Sequence, residues 1–181
     1  MTTPPMQPVP PAPDQPRYDV RALGHDDFPN LQRLEREIWS GDGIGMLCPH
    51  YLRLCTDFYS DWCFIAMDGD RPVGYVLNFP KGRTNYCATL AVHPQYQKTR
   101  VNYLLIRAMV KKLIQEGIEE CRFLVEPEND DARSVHEALG ARVVGEARDY
   151  YREGDLRLWS VIDQHDLERI RVRYTRLRLV S

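Results

Sequence analysis

The spacing of hydrophobic and polar residues divides the chain into segments with two different periods. Short apolar or alternating runs predict strands at 18–23, 62–67, 73–79, 86–92, 121–125, 142–151 and 156–162. Apolar stripes at helical spacing predict helices at 28–39, 46–59 and 101–116, and a further short helix after Asn129. The predicted order is a strand, two helices, three strands, a helix, a strand, a helix and two strands.

Turn and cap residues separate these elements. The segment from Asp68 to Pro72 predicts a hairpin turn between two strands, and Gly117 and Gly140 are placed to end two helices. Early hairpins followed by a strand–helix–strand unit predict a mixed, mostly antiparallel sheet with helices on its faces. The expected fold class is therefore α/β, of the mixed-sheet α+β kind.

The two ends of the chain differ in composition from the middle. Residues 1–16 hold most of the 13 prolines and almost nothing to bury, which predicts a disordered tail. Residues 17–163 carry the predicted elements and form the expected domain. Residues 164–181 form a basic C-terminal extension, with five arginines from Arg169 onward. Their alternation favours an extra strand, although a helical stripe through Leu167, Ile170, Tyr174 and Leu177 also fits.

This basic extension has two functional interpretations. As an added edge strand or dimer contact, it would expose its arginines on a solvated face. As a basic arm, it would bind nucleic acid or an acidic partner. The formal net charge of -2 argues against nucleic acid as the main partner. A homodimer stays open as an alternative.

The overall composition is that of a globular protein. Hydrophobic residues make up 43% and charged residues 28% of the 181 positions, enough for one domain with a core. No apolar run approaches the roughly 20 residues that span a bilayer, and no signal-peptide pattern is present, so we expect a cytoplasmic protein with no membrane partner. The five cysteines form no CxxC pair, which predicts buried thiols in a reducing compartment and no metal site.

One stretch carries a chemical signal. The strand that ends at Val92 runs through a tight loop directly into the long helix that begins at Val101. Such a loop leaves the first helical N–H groups unpaired, with the positive end of the helix dipole behind them. This arrangement suits a pyrophosphate group. Lys98 and Arg100 add positive charge where a polyphosphate would lie.

The same stretch resembles the signature of the GNAT acetyltransferase superfamily, V-x-P-x-x-Q/R-x-x-G-x-G/A. Val92, Pro94 and Gln97 match it in register, whereas Arg100 and Asn102 stand where the family has its small residues. The predicted order of elements over 17–163 also agrees with the family. A second signature, N-x-x-A-x-x-L-Y-x-x-x-G-F, is echoed by Asn129, Ala132, Val135, His136, Gly140 and Ala141.

The resemblance implies that the chain binds acetyl-CoA or another acyl-CoA. If position 100 needs a positive φ, arginine there costs roughly 1–2 kcal/mol. If right-handed geometry suffices, Arg100 costs little and its guanidinium can clasp phosphate oxygens; Asn102 tolerates either conformation. The residues implied in cofactor binding are Leu90, Ala91, Val92, Gln97, Lys98, Thr99, Arg100, Val101, Asn102 and Asn129.

The family's chemistry implies three catalytic functions. Strands 86–92 and 121–125 are expected to splay, so that free amides near Val92 polarise the thioester carbonyl. His136 occupies the position of the family's proton-donating tyrosine and is expected to protonate the departing thiolate, because an ordinary histidine pKa lies near working pH. No glutamate lies within 86–92. The base is therefore either a water relayed by Glu126 or the solvent; Glu126 as a plain surface carboxylate is the competing interpretation.

The acceptor side is implied by a further resemblance. Asp149-Tyr150-Tyr151 is similar to the paired tyrosines of GNAT enzymes that acetylate protein N-termini, where they border the acceptor groove. Tyr150 and Tyr151 would then grip the acceptor, and the hydroxyl of Tyr150 would orient its amine. The loop 40–45 is expected to form the other wall, where Asp42 either attracts an ammonium group or caps a helix.

The sequence therefore predicts an N-acetyltransferase that transfers an acetyl or other acyl group from its CoA thioester to a primary amine of a small molecule or peptide. Two alternatives remain at this point. One is a GNAT-like domain that binds acyl-CoA, or has lost it, and regulates without transfer. The other is altered acyl chemistry such as acyl-CoA decarboxylation.

Overall fold

The computed structural model of the protein describes residues 18–39 and 47–176. The predicted tail, the loop with Asp42 and the last five residues lie outside this part of the chain. The strands are β1 (Tyr18–Ala22), β2 (Phe64–Asp68), β3 (Arg71–Lys81), β4 (Thr84–Val92), β5 (Glu120–Val125), β6 (Arg142–Arg148) and β7 (Leu156–Asp163). The helices are α1 (Phe28–Trp39), α2 (Pro49–Asp57), α3 (Val101–Gln115), α4 (Asp130–Ala138) and α5 (Gln164–Arg176).

The strands form one 7-stranded sheet in the order β1-β2-β3-β4-β5-β7-β6. Only β4 and β5 are parallel; the other neighbouring pairs are antiparallel. Helix α3 makes the crossover between the two parallel strands, as a parallel connection requires. The mixed, mostly antiparallel α/β sheet predicted from the sequence is confirmed.

Helices cover both faces of this sheet with apolar side chains. One core lies under α1 and α2 and includes Leu31, Leu34, Leu52, Ile65, Tyr75 and Leu77. The other lies under α3, α4 and α5 and includes Val76, Val101, Leu105, Met109, Phe123 and Ile162. Strands β2 and β3 thus alternate their side chains between two buried layers, which fixes their register.

The structure corrects the prediction of an extra strand at the C-terminus. Residues 164–176 form helix α5, and Leu167 and Ile170 on one side of it are buried in the core. The Asp163 carboxylate accepts hydrogen bonds from the N–H groups of His165 (2.9 Å) and Asp166 (3.1 Å). This cap satisfies the first amides of the helix, and the buried residues Leu167 and Ile170 follow helical spacing rather than the alternation of a strand.

Two element boundaries also differ from the predicted ones. Helix α2 begins only at Pro49, which occupies the first turn, where proline costs no hydrogen bond. Strand β6 ends at Arg148 rather than at 151, because Asp149 adopts a φ of 53° and turns the chain. Its side chain accepts a hydrogen bond from the Gly154 N–H at 2.7 Å, which stabilises this turn.

The cysteines are all free, and four of the five, Cys55, Cys63, Cys87 and Cys121, are buried. Burial raises the pKa of Cys121 to about 12, so its thiol stays protonated. Cys48 is exposed at the start of α2. Among residues 18–39 and 47–176, no group of three or more side chains is arranged to hold a metal ion. None of the helices in these two ranges is long and apolar enough to cross a membrane.

Candidate active site

The two parallel strands separate partway along their length. Their pairing ends where Cys87 meets Phe123. Strand β4 continues to pair with β3 as far as Val92, and β5 continues to pair with β7 as far as Val125. The gap between residues 88–92 and residues 124–125 is called the wedge below. Its presence agrees with the splay that the family resemblance implies.

The backbone of β4 directs unpaired groups into the wedge. The N–H of His93 donates to the Val73 carbonyl at 2.9 Å, which fixes this pair as hydrogen-bonded. Hydrogen-bonded pairs alternate along an antiparallel ladder, so Ala91 bonds across to β3 while Leu90 and Val92 point away from it. Of the three predicted strand residues, Leu90 therefore offers its N–H and C=O groups to a ligand in the wedge, and Val92 offers its N–H group.

Residues 93–100, the helix-entry loop, connect the wedge to α3. Thr99 closes this loop, since its hydroxyl donates to the Tyr96 carbonyl (2.6 Å) and accepts from the Val101 N–H (3.3 Å). The amides of Lys98 and Arg100 have no acceptor among the described residues. The loop thus uses one helix-start amide for its own cap and leaves others open to an anion.

Arg100 adopts right-handed geometry, with φ -73° and ψ -5°. The only non-glycine residue with positive φ in the described part of the chain is Asp149. Arginine at position 100 is therefore unstrained. The side chains of Lys98 and Arg100 are exposed and form no ion pair with any described residue. Both cations are available to phosphate oxygens.

The other residues predicted for this loop take supporting positions. Gln97 is exposed, and its amide nitrogen lies 3.5 Å from the carbonyl oxygen of Val92. Val101 is fully buried beneath the helix start, and Asn102 is half-buried in the first turn of α3. Asn129 caps α4, because its side-chain oxygen accepts the Ala132 N–H at 3.0 Å.

A glycine that the sequence analysis did not single out sets the position of α3. A Cβ atom on Gly74 of β3 would lie 3.0 Å from the Ala91 carbonyl oxygen and 3.1 Å from side-chain atoms of Val101 and Leu105. Only glycine allows so close an approach of the helix start to the sheet. The helix-entry loop therefore sits directly above the end of β4.

His136 lies against the point where the wedge opens. Its ring packs on Phe123, with ring centroids 4.6 Å apart, and Phe123 belongs to the last paired position of β4 and β5. Burial lowers the pKa of His136 to about 4, so the imidazole is neutral at neutral pH. The expectation of a pKa near working pH is therefore wrong. The Nδ1 atom is buried and has no partner among the described residues.

Glu126 follows directly after β5 and forms an ion pair. One of its oxygens lies 2.7 Å from Nη2 of Arg157, while about half of the side chain (52%) is exposed. Arg157 also binds Asp155 through Nε (2.9 Å) and Nη2 (2.7 Å). The described residues thus place Glu126 in an ion pair at the end of β5, with half of its side chain open to solvent.

Four aromatic rings, the aromatic cluster, gather on the α1–α2 side of the sheet. Tyr150 lies edge-on to Tyr151 (centroids 4.7 Å apart) and to Trp159 (5.8 Å), and Trp159 lies 6.0 Å from Tyr86 of β4. Tyr150 and Tyr151 are 43% and 65% exposed. The two predicted tyrosines are therefore joined by Tyr86 and Trp159, which the sequence analysis missed.

A second missed feature borders the loop that contains Asp42. Glu35 of α1 is completely buried and accepts hydrogen bonds from the N–H of Leu47 (2.6 Å) and the hydroxyl of Tyr75. The Trp39 indole donates to the same hydroxyl at 3.3 Å. Burial, and then the Glu35 charge, raise the pKa of Tyr75 above its ordinary value. A signal existed in the sequence, since Glu35 interrupts the apolar stripe of α1.

A splayed pair of parallel strands that leads through a loop with open amides into a helix is the arrangement that the resemblance to GNAT acetyltransferases implies. The sequence profile described as "Acetyltransferase (GNAT) family" matches residues 28–141, more than half of the chain. The chain belongs to this family.

Solved structures share the fold at low sequence identity. Ard1 from Thermoplasma volcanium is 15% identical with a TM-score of 0.70, over 81% of this chain and 97% of that one. The ribosomal-protein-S18-alanine N-acetyltransferase from Escherichia coli is 15% identical with a TM-score of 0.68, over 81% and 94%.

A third solved structure contains both ligands of its reaction. Diaminobutyrate acetyltransferase EctA from Paenibacillus lautus, in complex with L-2,4-diaminobutyric acid and coenzyme A, is 19% identical with a TM-score of 0.66, over 83% of this chain and 96% of that one. No functionally curated protein shows significant sequence similarity to this chain. At these identities the structural likeness establishes the fold alone.

Proposed function

We propose that the protein is an acyl-CoA-dependent N-acyltransferase that transfers an acetyl group from acetyl-CoA to a primary amine. The observation that carries the proposal is the series of open backbone groups that lies at the two ends of the helix-entry loop. Leu90 and Val92 supply this series inside the wedge, and the amides of Lys98 and Arg100 continue it. These residues fit an extended chain that ends in a diphosphate.

Each end of this series has a distinct binding role. The amides and side chains of Lys98 and Arg100 hold the diphosphate, with the α3 dipole behind them. The backbone groups of Leu90 and Val92 hold the extended arm of the ligand as a further strand would. Acyl-CoA supplies an activated thioester. The N–H groups of Leu90 and Val92 are the candidates to hydrogen-bond its carbonyl oxygen as negative charge develops there.

His136 is the candidate donor toward the departing sulfur. Because its pKa is about 4, the neutral ring acts through an N–H hydrogen bond and not as an imidazolium acid. Its place beside Phe123, where the wedge opens, supports this role. A hydrogen bond to a developing thiolate lowers the barrier without complete proton transfer.

The aromatic cluster is the candidate acceptor site. The exposed rings of Tyr150 and Tyr151 contact the acceptor, and the Tyr150 hydroxyl orients its amine. Glu126 is held in an ion pair with Arg157, and the acceptor amine loses its proton to solvent before attack. Asp42, whose loop lies outside the described residues, is the further candidate for attracting an ammonium group.

Two measurements test the proposal. Calorimetry with acetyl-CoA should give saturable binding, and pantetheine, which lacks the diphosphate, should bind much more weakly. Mass spectrometry should then detect an acetyl group on an added amine. A peptide with a free N-terminal alanine and L-2,4-diaminobutyric acid are suitable probes, because proteins of similar fold are named for these acceptors. Absence of acetyl-CoA binding at millimolar concentration would refute the proposal.

A regulatory acyl-CoA-binding domain is the second candidate. The neutral state of His136 favours it, because a neutral imidazole is a weaker acid than an imidazolium. This alternative would be supported over the enzyme if the protein binds acetyl-CoA tightly, transfers no acetyl group to either amine probe, and does not hydrolyse acetyl-CoA when the probes are absent.

A further inference from the structure

Arg157 joins two elements that border the proposed acceptor site. It is the second residue of β7, and its side chain is only 17% exposed. On one side its Nη2 contacts Glu126 at 2.7 Å, immediately after the β5 strand that bounds the wedge. On the other it binds Asp155, whose side chain is 6% exposed, through both Nε and Nη2. Such a planar two-sided contact is specific to arginine.

Asp155 in turn holds the β6–β7 turn, residues 149–155. Its carboxylate accepts the N–H of Tyr151 at 3.3 Å, and its carbonyl accepts the N–H of Asp149 at 2.7 Å. The hydrogen bond from Arg157 is the main cause that lowers the pKa of Asp155, so this carboxylate is ionised at neutral pH. The backbone of the turn is therefore tied to the guanidinium through one carboxylate.

Arg157 also contacts the aromatic cluster directly. Its Cζ atom lies 5.1 Å from the centroid of the Tyr151 ring, a cation–π distance. Tyr151 is 65% exposed and contacts Tyr150 edge-on. Without Arg157 the exposed ring would lose this cation, and the carboxylate that binds the Tyr151 backbone N–H would lose its guanidinium partner.

We propose that Arg157 is a positioning residue for the amine acceptor, holding Tyr151 and Glu126 at the mouth of the wedge. The proposal rests on the proposed transferase function and refines its acceptor site. Two carboxylates share one guanidinium, so Glu126, Asp155 and Arg157 together carry one net negative charge. The half-exposed Glu126 directs that charge toward solvent, which favours an acceptor that arrives as an ammonium ion.

The test compares the variants Arg157→Lys and Arg157→Gln with a control substitution at an exposed arginine. Arg148 of β6 is 76% exposed and pairs only with Glu146 among the described residues, so Arg148→Gln is the control. With a peptide bearing a free N-terminal alanine, both Arg157 variants should raise the acceptor KM about tenfold or more. The kcat should stay within about threefold, and the affinity for acetyl-CoA should not change.

Hydrogen exchange supplies a readout that needs no activity. Arg157→Gln should speed exchange of the Tyr151 and Gly154 amides, while amides in α3 exchange as in the wild type. A fall in kcat without a change in KM would overturn the proposal, as would unchanged KM or unchanged exchange in the turn.

The experiments distinguish failure of the proposed transferase function from failure of the proposed role of Arg157. If the wild-type protein transfers no acetyl group, the transferase function fails, and the acceptor role of Arg157 fails with it, whatever exchange shows. If the wild type transfers and Arg157→Lys matches it in KM, only the role of Arg157 is refuted.

Discussion

At the scale of single residues, backbone conformation determines how much strain energy a large side chain causes at a position where the family has a small one. Arg100 stands where the family has a small residue, yet its φ of -73° is open to any amino acid. Its guanidinium is exposed and lies at the start of a helix, next to unpaired amides. The substitution therefore adds a cation at a binding loop without backbone strain.

Arg100→Ala should weaken acetyl-CoA binding about tenfold, or about 1.4 kcal/mol, because one charge-assisted phosphate contact is lost. Calorimetry at constant ionic strength measures this change. Lys111→Ala, an exposed position farther along α3, is the control and should bind as the wild type does. Equal affinity for Arg100→Ala would place the guanidinium outside the phosphate site.

The half-buried imidazole of His136 should make the fold sensitive to mild acid. Its pKa falls from an ordinary 6.5 to about 4 on folding, so protonation favours the unfolded chain. The associated stability is present above about pH 6.5 and is lost as the pH falls toward 4. Between pH 7 and pH 5 the loss should be about 1–2 kcal/mol, allowing for partial exposure.

Urea unfolding of the wild type, His136→Phe and the control His50→Gln at both pH values measures this effect. His50 is exposed, and its replacement should leave the pH dependence as it is in the wild type. His136→Phe should reduce the dependence by that amount. An identical pH dependence in all three proteins would show that His136 titrates normally.

At the scale of elements, the relation between α3 and β3 controls the candidate site. Val101 and Leu105 rest on the bare backbone of Gly74, so the first turn of the helix lies close to the sheet. The open amides of the helix-entry loop are thereby kept close to the open groups of β4. Packing under the helix and the proposed ligand binding above it depend on the same contact.

Gly74→Ala should cost about 1–3 kcal/mol of stability, since the added methyl meets a backbone oxygen and two buried side chains. Acetyl-CoA affinity should fall in the same variant because the loop is displaced. Gly145→Ala, at a strand position with nothing within 4 Å of the new atom, is the control. Thermal unfolding and calorimetry on both proteins are the measurements. A wild-type melting temperature in Gly74→Ala would contradict this account.

The sequence predicted elements best where local signals agree. Helices α1 and α3 follow apolar stripes that end at recognisable breakers, and the β2–β3 hairpin follows its turn residues. The strand favoured for residues 164–181 was wrong, and the helical alternative was right for 164–176, because arginines alternating with apolar residues fit two periods. The choice depends on the Asp163 cap and on burial of Leu167 and Ile170. Tertiary packing decides between such patterns, and no local rule contains it.

The candidate site was predictable only as far as motifs extend along the chain. Val92, Gln97 and His136 were found because they lie within short signatures. Glu35 and Tyr75 are 40 positions apart, so their hydrogen bond has no counterpart in local spacing. The shift in the pKa of His136 likewise depends on Phe123 and the surrounding core, which only the folded chain brings together.

At the scale of the whole molecule, α5 completes the core beside α3. Leu167 and Ile170 are 4% and 8% exposed and pack in the same cluster as Leu113 and Ile118. The basic extension therefore contributes to the domain that precedes it, and its first part is not a free arm.

Leu167→Ala and Ile170→Ala should each cost about 2–4 kcal/mol, as for other buried aliphatic residues. Val172→Ala, on the exposed side of the same helix at 38% exposure, should cost less than about 0.5 kcal/mol. Chemical denaturation measures the free energy of unfolding of all three variants, with one value for its dependence on denaturant concentration. Small effects at both Leu167 and Ile170 would mean that α5 is dispensable for the fold.

The burial of four thiols also determines how turnover is best followed. Thiol-specific chromogenic reagents detect released CoA, and in the native protein they would react with Cys48 far more readily than with the four buried cysteines. The background signal from the protein is then about one equivalent of thiol per chain. A Cys48→Ser version would leave the product as the dominant source of signal in a continuous assay.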